Sequence, residues 1–184
     1  MKRPAVFLDR DGTLIEEVNY LHRVEDLRIF PATAAALRSL KEAGYLLIVV
    51  TNQSGIGREV YGENDMQKIH DAMQAKLSGA IDAFYFCPHL PCDGCRCRKP
   101  ELGMIESATA DFEIDLTNSW MVGDKKIDVE TGFAAKIQTA LVLTGYGASH
   151  KAMLETQPDM IVEDIGRAVE AIIDISSGRN RPQV

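Results

Sequence analysis

The sequence predicts an α/β domain with a mainly parallel sheet, on three observations. Short apolar runs alternate with segments of helical periodicity along most of the chain, which is how strand–helix–strand units read. A proline opens and a glycine closes the first helical segment, the expected asymmetry of helix ends. No internal repeat or interdomain linker interrupts the pattern.

The elements follow in order. Ala5–Leu8 is the first buried strand. A helix starts at Pro31 and stops at Gly44, with Thr33, Leu37, Leu40 and Gly44 on one face. Residues 45–50 form the second strand, and a helix over 64–78 turns Met66, Ile69, Met73 and Leu77 inward. Residues 83–86 are the third strand, followed by a helix near 102–111 and a strand at 120–122. Lys126–Ala135 is helical, 139–143 and Met160–Val162 are strands, and 165–175 is the last helix. One domain over residues 1–184 is expected, with the polar residues 176–184 frayed. Ligands in parallel sheets bind beyond the carboxyl ends of the strands. Asp9, Thr51, Cys87 and Asp124 each follow an apolar strand, so the site is expected there.

Composition limits the function. Of 184 residues, 46% are hydrophobic and 26% charged, an ordinary globular balance. No apolar run approaches the roughly 20 residues that span a bilayer. The opening Met-Lys-Arg-Pro leads into a strand without a signal-peptide core, so a cytoplasmic chain without a membrane partner is expected. A net charge of −7 argues against a nucleic-acid face but permits an anionic substrate held by a local cationic cluster. A monomer is expected, because no exposed apolar stripe is evident. All four cysteines lie between Cys87 and Cys97, too close for an ordinary disulfide framework and pointing instead to metal.

Phe7-Leu8-Asp9-Arg10-Asp11-Gly12-Thr13-Leu14 carries the strongest signal. A turn explains Asp11-Gly12 but not Asp9, a charge at the tip of a buried strand. Two like charges this close are costly to bury without a cation. Mg²⁺, held by a few carboxylates with water and substrate phosphate, offsets that cost. A carboxylate there can also attack phosphorus, splitting one hard step into two. Val49-Val50-Thr51-Asn52-Gln53-Ser54-Gly55-Ile56-Gly57-Arg58 adds a hydroxyl, amides and small residues whose N–H groups can face an anion. Arg98-Lys99-Pro100 supplies a bidentate fork and a point charge before a helix. In Gly123-Asp124-Lys125-Lys126-Ile127-Asp128, Asp124 ends a strand as Asp9 does and can complete a metal shell, with Asp128 supporting it one turn later. Soft donors at C-x-H and C-x-C spacing in 87–97 suit tetrahedral Zn²⁺. Five candidates compete for four places there, since Cys92-x-x-Cys95 is also a good zinc spacing. His70 and His150 are expected at the surface, and Trp120, Met66 and Met73 in the core.

These motifs, in this order, resemble the haloacid dehalogenase superfamily of aspartate-nucleophile phosphohydrolases over residues 5–145. The resemblance implies a Rossmann-like three-layer sandwich. No segment between Asp11 and Thr51, or between Arg58 and Arg98, is long enough for a cap domain. It implies that Asp9 is the nucleophile, Asp11 the general acid/base, and Thr51 and Lys99 the holders of the phosphoryl group. Mg²⁺ would be bound by Asp9, Asp124 and the backbone carbonyl of Asp11. The cysteine loop resembles that of the heptose-bisphosphate and histidinol-phosphate phosphatases. This selects Cys87, His89, Cys95 and Cys97 as ligands of a structural Zn²⁺ and leaves Cys92 as an extra thiol.

Asp9-Arg10-Asp11-Gly12-Thr13-Leu14 with Asn19-Tyr20-Leu21-His22, the 51–58 segment, and Arg98-Lys99-Pro100 with Gly103-Met104 resemble the heptose-bisphosphate branch. That branch implies removal of the 7-phosphate of D-glycero-D-manno-heptose 1,7-bisphosphate. The short cysteine loop resembles the histidinol-phosphate enzymes, the alternative. A zinc-stabilised binding module without catalysis is a third reading, opposed by the presence of Asp9, Asp11, Lys99 and Asp124 together. Substrate contacts are expected from Tyr20, Asn52, Gln53, Ser54, Arg58, Arg98 and Lys125, within loops 14–22, 53–58 and 98–103.

Overall fold

The computed structural model describes residues 2–178. Its six strands are β1 (Ala5–Leu8), β2 (Leu46–Asn52), β3 (Ala83–Cys87), β4 (Trp120–Gly123), β5 (Gln138–Val142) and β6 (Met160–Val162). They form one sheet in the order β3-β2-β1-β4-β5-β6, and every neighbouring pair is parallel. The chain winds outward from β1 to β3, returns to set β4 on the other side of β1, and winds outward again. This is a doubly wound sheet, and the crevice between β1 and β4 is its topological switch point.

The helices are α1 (Thr33–Glu42), α2 (Ser54–Gly57), α3 (Glu63–Lys76), α4 (Gly103–Asp111), α5 (Lys126–Ala135), α6 (Gly147–Lys151) and α7 (Ile165–Ser176). Alternation along β1 divides the core in two. Val6 and Leu8 share one cluster with Leu37 and Leu40 of α1, Ile69 and Met73 of α3, and Val169 and Ile172 of α7. Ala5 and Phe7 share the other with Met104, Ile105 and Ala108 of α4. Helix α5 packs on this second face so closely that a Cβ at Gly132 would lie 2.3 Å from the Thr139 methyl. Three layers result. With both faces covered, all four residues of β1 are fully buried.

Strand and helix limits fall close to the expected ones, with informative differences. Strand β2 continues through Thr51 and Asn52, and β3 through Cys87, because the parallel register runs on as Thr51↔Phe86 and Asn52↔Cys87. These polar residues are therefore held by the sheet rather than by a loop. Helices α2 and α6 are single turns, too short to leave a periodic signal. Gly44 is exposed and closes α1 with φ 91° instead of joining its buried face. Ser176 ends α7; of the tail expected to fray, residues 179–184 lie outside the described residues.

His70 corrects an expectation. It is buried, its ring stacked on Phe84 with centroids 4.3 Å apart. Lying four residues after Met66 and three before Met73, it sits on the apolar stripe of α3. His150 is half-buried, its Nδ1 accepting a hydrogen bond from the Lys126 N–H at the start of α5 (3.0 Å). Trp120, Met66 and Met73 are core residues, as expected. Among the described residues, no helix is long and apolar enough to cross a membrane.

Candidate active site

The site grows from the carboxyl ends of the central strands. Asp9 follows β1, its N–H still bonded to the Val122 carbonyl of β4 (2.9 Å), so sheet pairing fixes where its side chain emerges. Asp124 follows β4, and Asp128 lies in the first turn of α5. All three are buried, and each offers a carboxylate oxygen within 4.8 Å of the others. Lys99 threads between them, donating to Asp9 Oδ1 at 2.8 Å and Asp128 Oδ1 at 2.6 Å. Its backbone is clamped to β2 by the Asn52 side chain, which accepts from Lys99 N (3.0 Å) and donates to Lys99 O (3.2 Å).

Three buried acids against one buried lysine leave negative charge uncompensated. Burial alone would raise the Asp9 carboxyl, but the cations Lys99 and Lys125 outweigh it and hold Asp9 below the usual range. Asp124 is pushed up to about 8, by burial first and then by the Asp9 charge. One of its oxygens accepts from Tyr146 N at 2.8 Å; the other, Oδ1, is buried without a partner. A buried carboxylate oxygen normally finds a donor. An orphan oxygen beside two more acids is the environment a hard cation satisfies, so the residues fit a magnesium ion. The side chain of Asp11 stands apart from this cluster.

Glycines make room for the cluster. A Cβ at Gly12 (φ 82°) would lie 2.2 Å from Asp124 Oδ2, and one at Gly145 (φ 55°) 2.3 Å from the same atom. The loop after β5, unnoticed in the sequence, closes over the site: Thr144 Oγ1 donates to the Gly12 carbonyl at 2.6 Å. Its signal was the Gly145-Tyr146-Gly147 run directly after a strand.

Asp11 is turned toward Arg10. Arg10 Nε and Nη2 donate to its two oxygens at 2.9 and 3.0 Å, and Gln53 Nε2 donates to Oδ2 at 2.9 Å. Gln53 Nε2 also reaches Thr51 Oγ1 (2.8 Å), while Gln53 Oε1 accepts from Tyr61 (2.6 Å) and Arg10 (3.0 Å). Arg10 was not singled out from the sequence, although a cation between two acids is visible there.

Above these groups lies a cavity of about 310 Å³. Asp9, Asp11, Thr51 and Lys99 line its floor, and Tyr20, Asn52, Gln53, Ser54, Arg98 and Lys125 line it as well. Arg58 is exposed and is not among the lining residues: the single turn of α2 carries it past the rim. Glu17, absent from the sequence expectations, lines the cavity and pairs with Lys125 at 3.2 Å. Lys125 also sits 5.0 Å over the Tyr146 ring. The surrounding acids Asp9, Asp124 and Glu17 raise Lys125 against the effect of its burial, so it stays cationic.

The cysteine loop forms a second candidate metal centre. Cys87 Sγ lies 3.5 Å from Cys95 Sγ and 3.6 Å from His89 Nδ1; Cys97 Sγ lies 3.6 Å from Cys95 Sγ and 3.2 Å from His89 Nδ1. A tetrahedron around zinc with bonds near ~2.3 Å has sulfur–sulfur edges of about 3.8 Å, so this donor set fits. Cys92 is exposed and beside Asp93, outside the cluster. The loop is tied to the cavity: Arg98 Nη1 donates to the His89 carbonyl at 3.1 Å.

A doubly wound sheet with buried acids and a lysine at its switch point, under a cavity lined by Arg98, Lys99 and Lys125, is an arrangement suited to the phosphohydrolases of the α/β class. A family model described as HAD-hydrolase-like matches residues 96–168. The chain is 41% identical to the D-glycero-D-manno-heptose-1,7-bisphosphate 7-phosphatase of Thermosynechococcus vestitus, over 94% of this chain and 96% of the relative. It is 38% identical to the D-glycero-beta-D-manno-heptose-1,7-bisphosphate 7-phosphatase of Haemophilus ducreyi, over 90% and 96%. The crystal structure of D,D-heptose 1,7-bisphosphate phosphatase from B. bronchiseptica, complexed with magnesium and phosphate, superposes with a TM-score of 0.87 at 29% identity, covering 94% of this chain and 99% of that one. The chain belongs to the haloacid dehalogenase-like phosphatases, in the family of these heptose-bisphosphate enzymes.

Proposed function

We propose that the protein removes the 7-phosphate of D-glycero-D-manno-heptose 1,7-bisphosphate through an aspartyl-phosphate intermediate. The observation that carries this reading is Asp9: an anionic carboxylate at a strand tip, 2.8 Å from Lys99 and beside an acid with a partnerless oxygen. The activities of the relatives support the substrate. The magnesium and phosphate bound by the B. bronchiseptica enzyme support the cofactor.

In this reading Lys99, with Thr51, neutralises and orients the phosphoryl oxygens. Asp9 attacks phosphorus in line with the departing sugar oxygen, and Asp11 donates a proton to that oxygen as it leaves. Asp11 then takes a proton from water, which attacks the aspartyl-phosphate, frees inorganic phosphate and restores Asp9. Asp9, Asp124 and the Asp11 carbonyl, with Asp128 in support, would hold Mg²⁺, which would supply charge neutralisation when bound. Cys87, His89, Cys95 and Cys97 would hold Zn²⁺, which would fix the loop that presents Arg98 and Lys99. Tyr20, Asn52, Gln53, Ser54, Arg98 and Lys125 surround the sugar, and the protein works as a single-domain monomer in the cytoplasm.

The test is a panel of esters with added Mg²⁺: both anomers of the heptose bisphosphate, and histidinol phosphate. Faster turnover of the bisphosphate is expected. The reverse order would reassign the substrate, and no turnover from folded, zinc-loaded protein would remove catalysis altogether. Asp9→Asn is expected to abolish turnover while the protein still folds, seen as a retained cooperative melt; appreciable residual activity would take the nucleophile role from Asp9.

A further inference from the structure

Arg10 is 1% exposed, so water does not complete its hydrogen bonds. A guanidinium carries its donors in one rigid plane and has no acceptor. Its Nε and Nη2 grip Asp11, Nη2 also meets Gln53, and Nη1 points at His70 Nε2, 3.3 Å away. Because arginine can only donate, His70 Nε2 must present its lone pair and the proton must sit on Nδ1. Burial, and secondarily the Arg10 charge, push His70 down to about 3, keeping the ring neutral and accepting at any working pH. His70 lies in α3, outside every motif at the strand ends, and touches neither the cavity nor the acidic cluster.

We propose that His70 is a positioning residue which, by accepting from Arg10 Nη1, fixes the guanidinium plane and through it the orientation of Asp11. Removing the acceptor leaves a buried donor unpaired. The rigid fork then turns to find a partner, and the edge that grips Asp11 turns with it. The inference rests on the reading of Asp11 as proton donor.

The experiment separates positioning from packing. His70→Phe keeps an aromatic ring over Phe84 without an acceptor, and His70→Gln supplies an amide oxygen near the Nε2 position. kcat/KM reports steps up to the transfer of phosphorus to Asp9. It is measured on the alkyl phosphate turned over fastest and on p-nitrophenyl phosphate, whose leaving group departs without a proton. His70→Phe is expected to lower kcat/KM on the alkyl ester about tenfold, a part of what general acid catalysis contributes, and to leave the aryl ester within about twofold. His70→Gln is expected to restore most of the loss. Equal falls on both esters, no fall on either, or a Gln variant as impaired as the Phe variant would overturn the proposal. Should His70→Phe fold poorly, judged by Tm, His70→Leu carries the same comparison. Asp11→Asn calibrates it: failure of this variant to separate the esters overturns the proton-donor reading itself. Separation by Asp11→Asn but not by the His70 variants overturns the positioning role alone.

Discussion

Lys99 is the residue on which the site converges. Its ammonium reaches two carboxylates from different elements, Asp9 after β1 and Asp128 in α5, and all three groups are almost fully buried. Burial opposes its charge, yet Asp128 and Asp9 raise its pKa above the ordinary lysine value, so it stays protonated. Removing one partner of a buried ion network leaves the others uncompensated, at about 3–5 kcal/mol. Lys99→Met should therefore lower stability by that order in magnesium-free protein, seen as a fall in urea midpoint, besides abolishing turnover. Lys99→Arg should not restore activity, because a planar fork does not fit where a compact ammonium meets two carboxylates. An unchanged midpoint for Lys99→Met would mean that the acids are already neutral without it. Arg10 and His70 teach a related lesson. Arg10 sits inside the leading motif and His70 beyond every motif, and only their meeting across 60 residues of chain reveals a shared role.

At the scale of elements, the cysteine loop joins β3 to α4 and delivers Arg98 and Lys99 to the cavity. Its four donors are spaced for a tetrahedral ion, while Cys92 stands outside. Structural zinc contributes an apparent ~10–16 kcal/mol in small sites, so the proposed ion would hold the loop in place. Cys95→Ser is expected to lose zinc, measured by metal analysis of the purified protein, and to lose activity that excess Mg²⁺ does not restore. Cys92→Ser should retain both. Zinc loss from Cys92→Ser with retention in Cys95→Ser would exchange the two ligands. The loop after β5 acts differently, through the lack of side chains: Gly145 and Gly12 both lie where any Cβ would displace Asp124.

At the scale of the whole molecule, the doubly wound sheet opens between β1 and β4 onto a cluster of buried acids. Asp9, Asp124 and Asp128 arrive there from two strand ends and a helix start, so a cation binding among them should favour the folded state over the unfolded chain. Mg²⁺ is expected to raise the Tm, by about 2.7 kcal/mol of stabilisation at a hundredfold excess over Kd. Asp124→Asn should remove most of that rise. A rise of equal size in the variant would put the ion elsewhere.

By itself the sequence determined the alternation of strands and helices, the strands that make up the sheet and the acids and lysine that follow them, because apolar periodicity and glycine or proline punctuation are local properties. It also contained the set of metal donors, though spacing alone left Cys92 in contention and the family resemblance excluded it. Only the tertiary structure decided that Lys99 bridges Asp9 and Asp128, that Arg58 lies off the rim, that Glu17 meets Lys125, and that His70 is buried against Arg10. These are encounters between residues far apart in the chain. Which of them occur is set by how the layers pack, since packing decides which side chains share a space from which water is excluded.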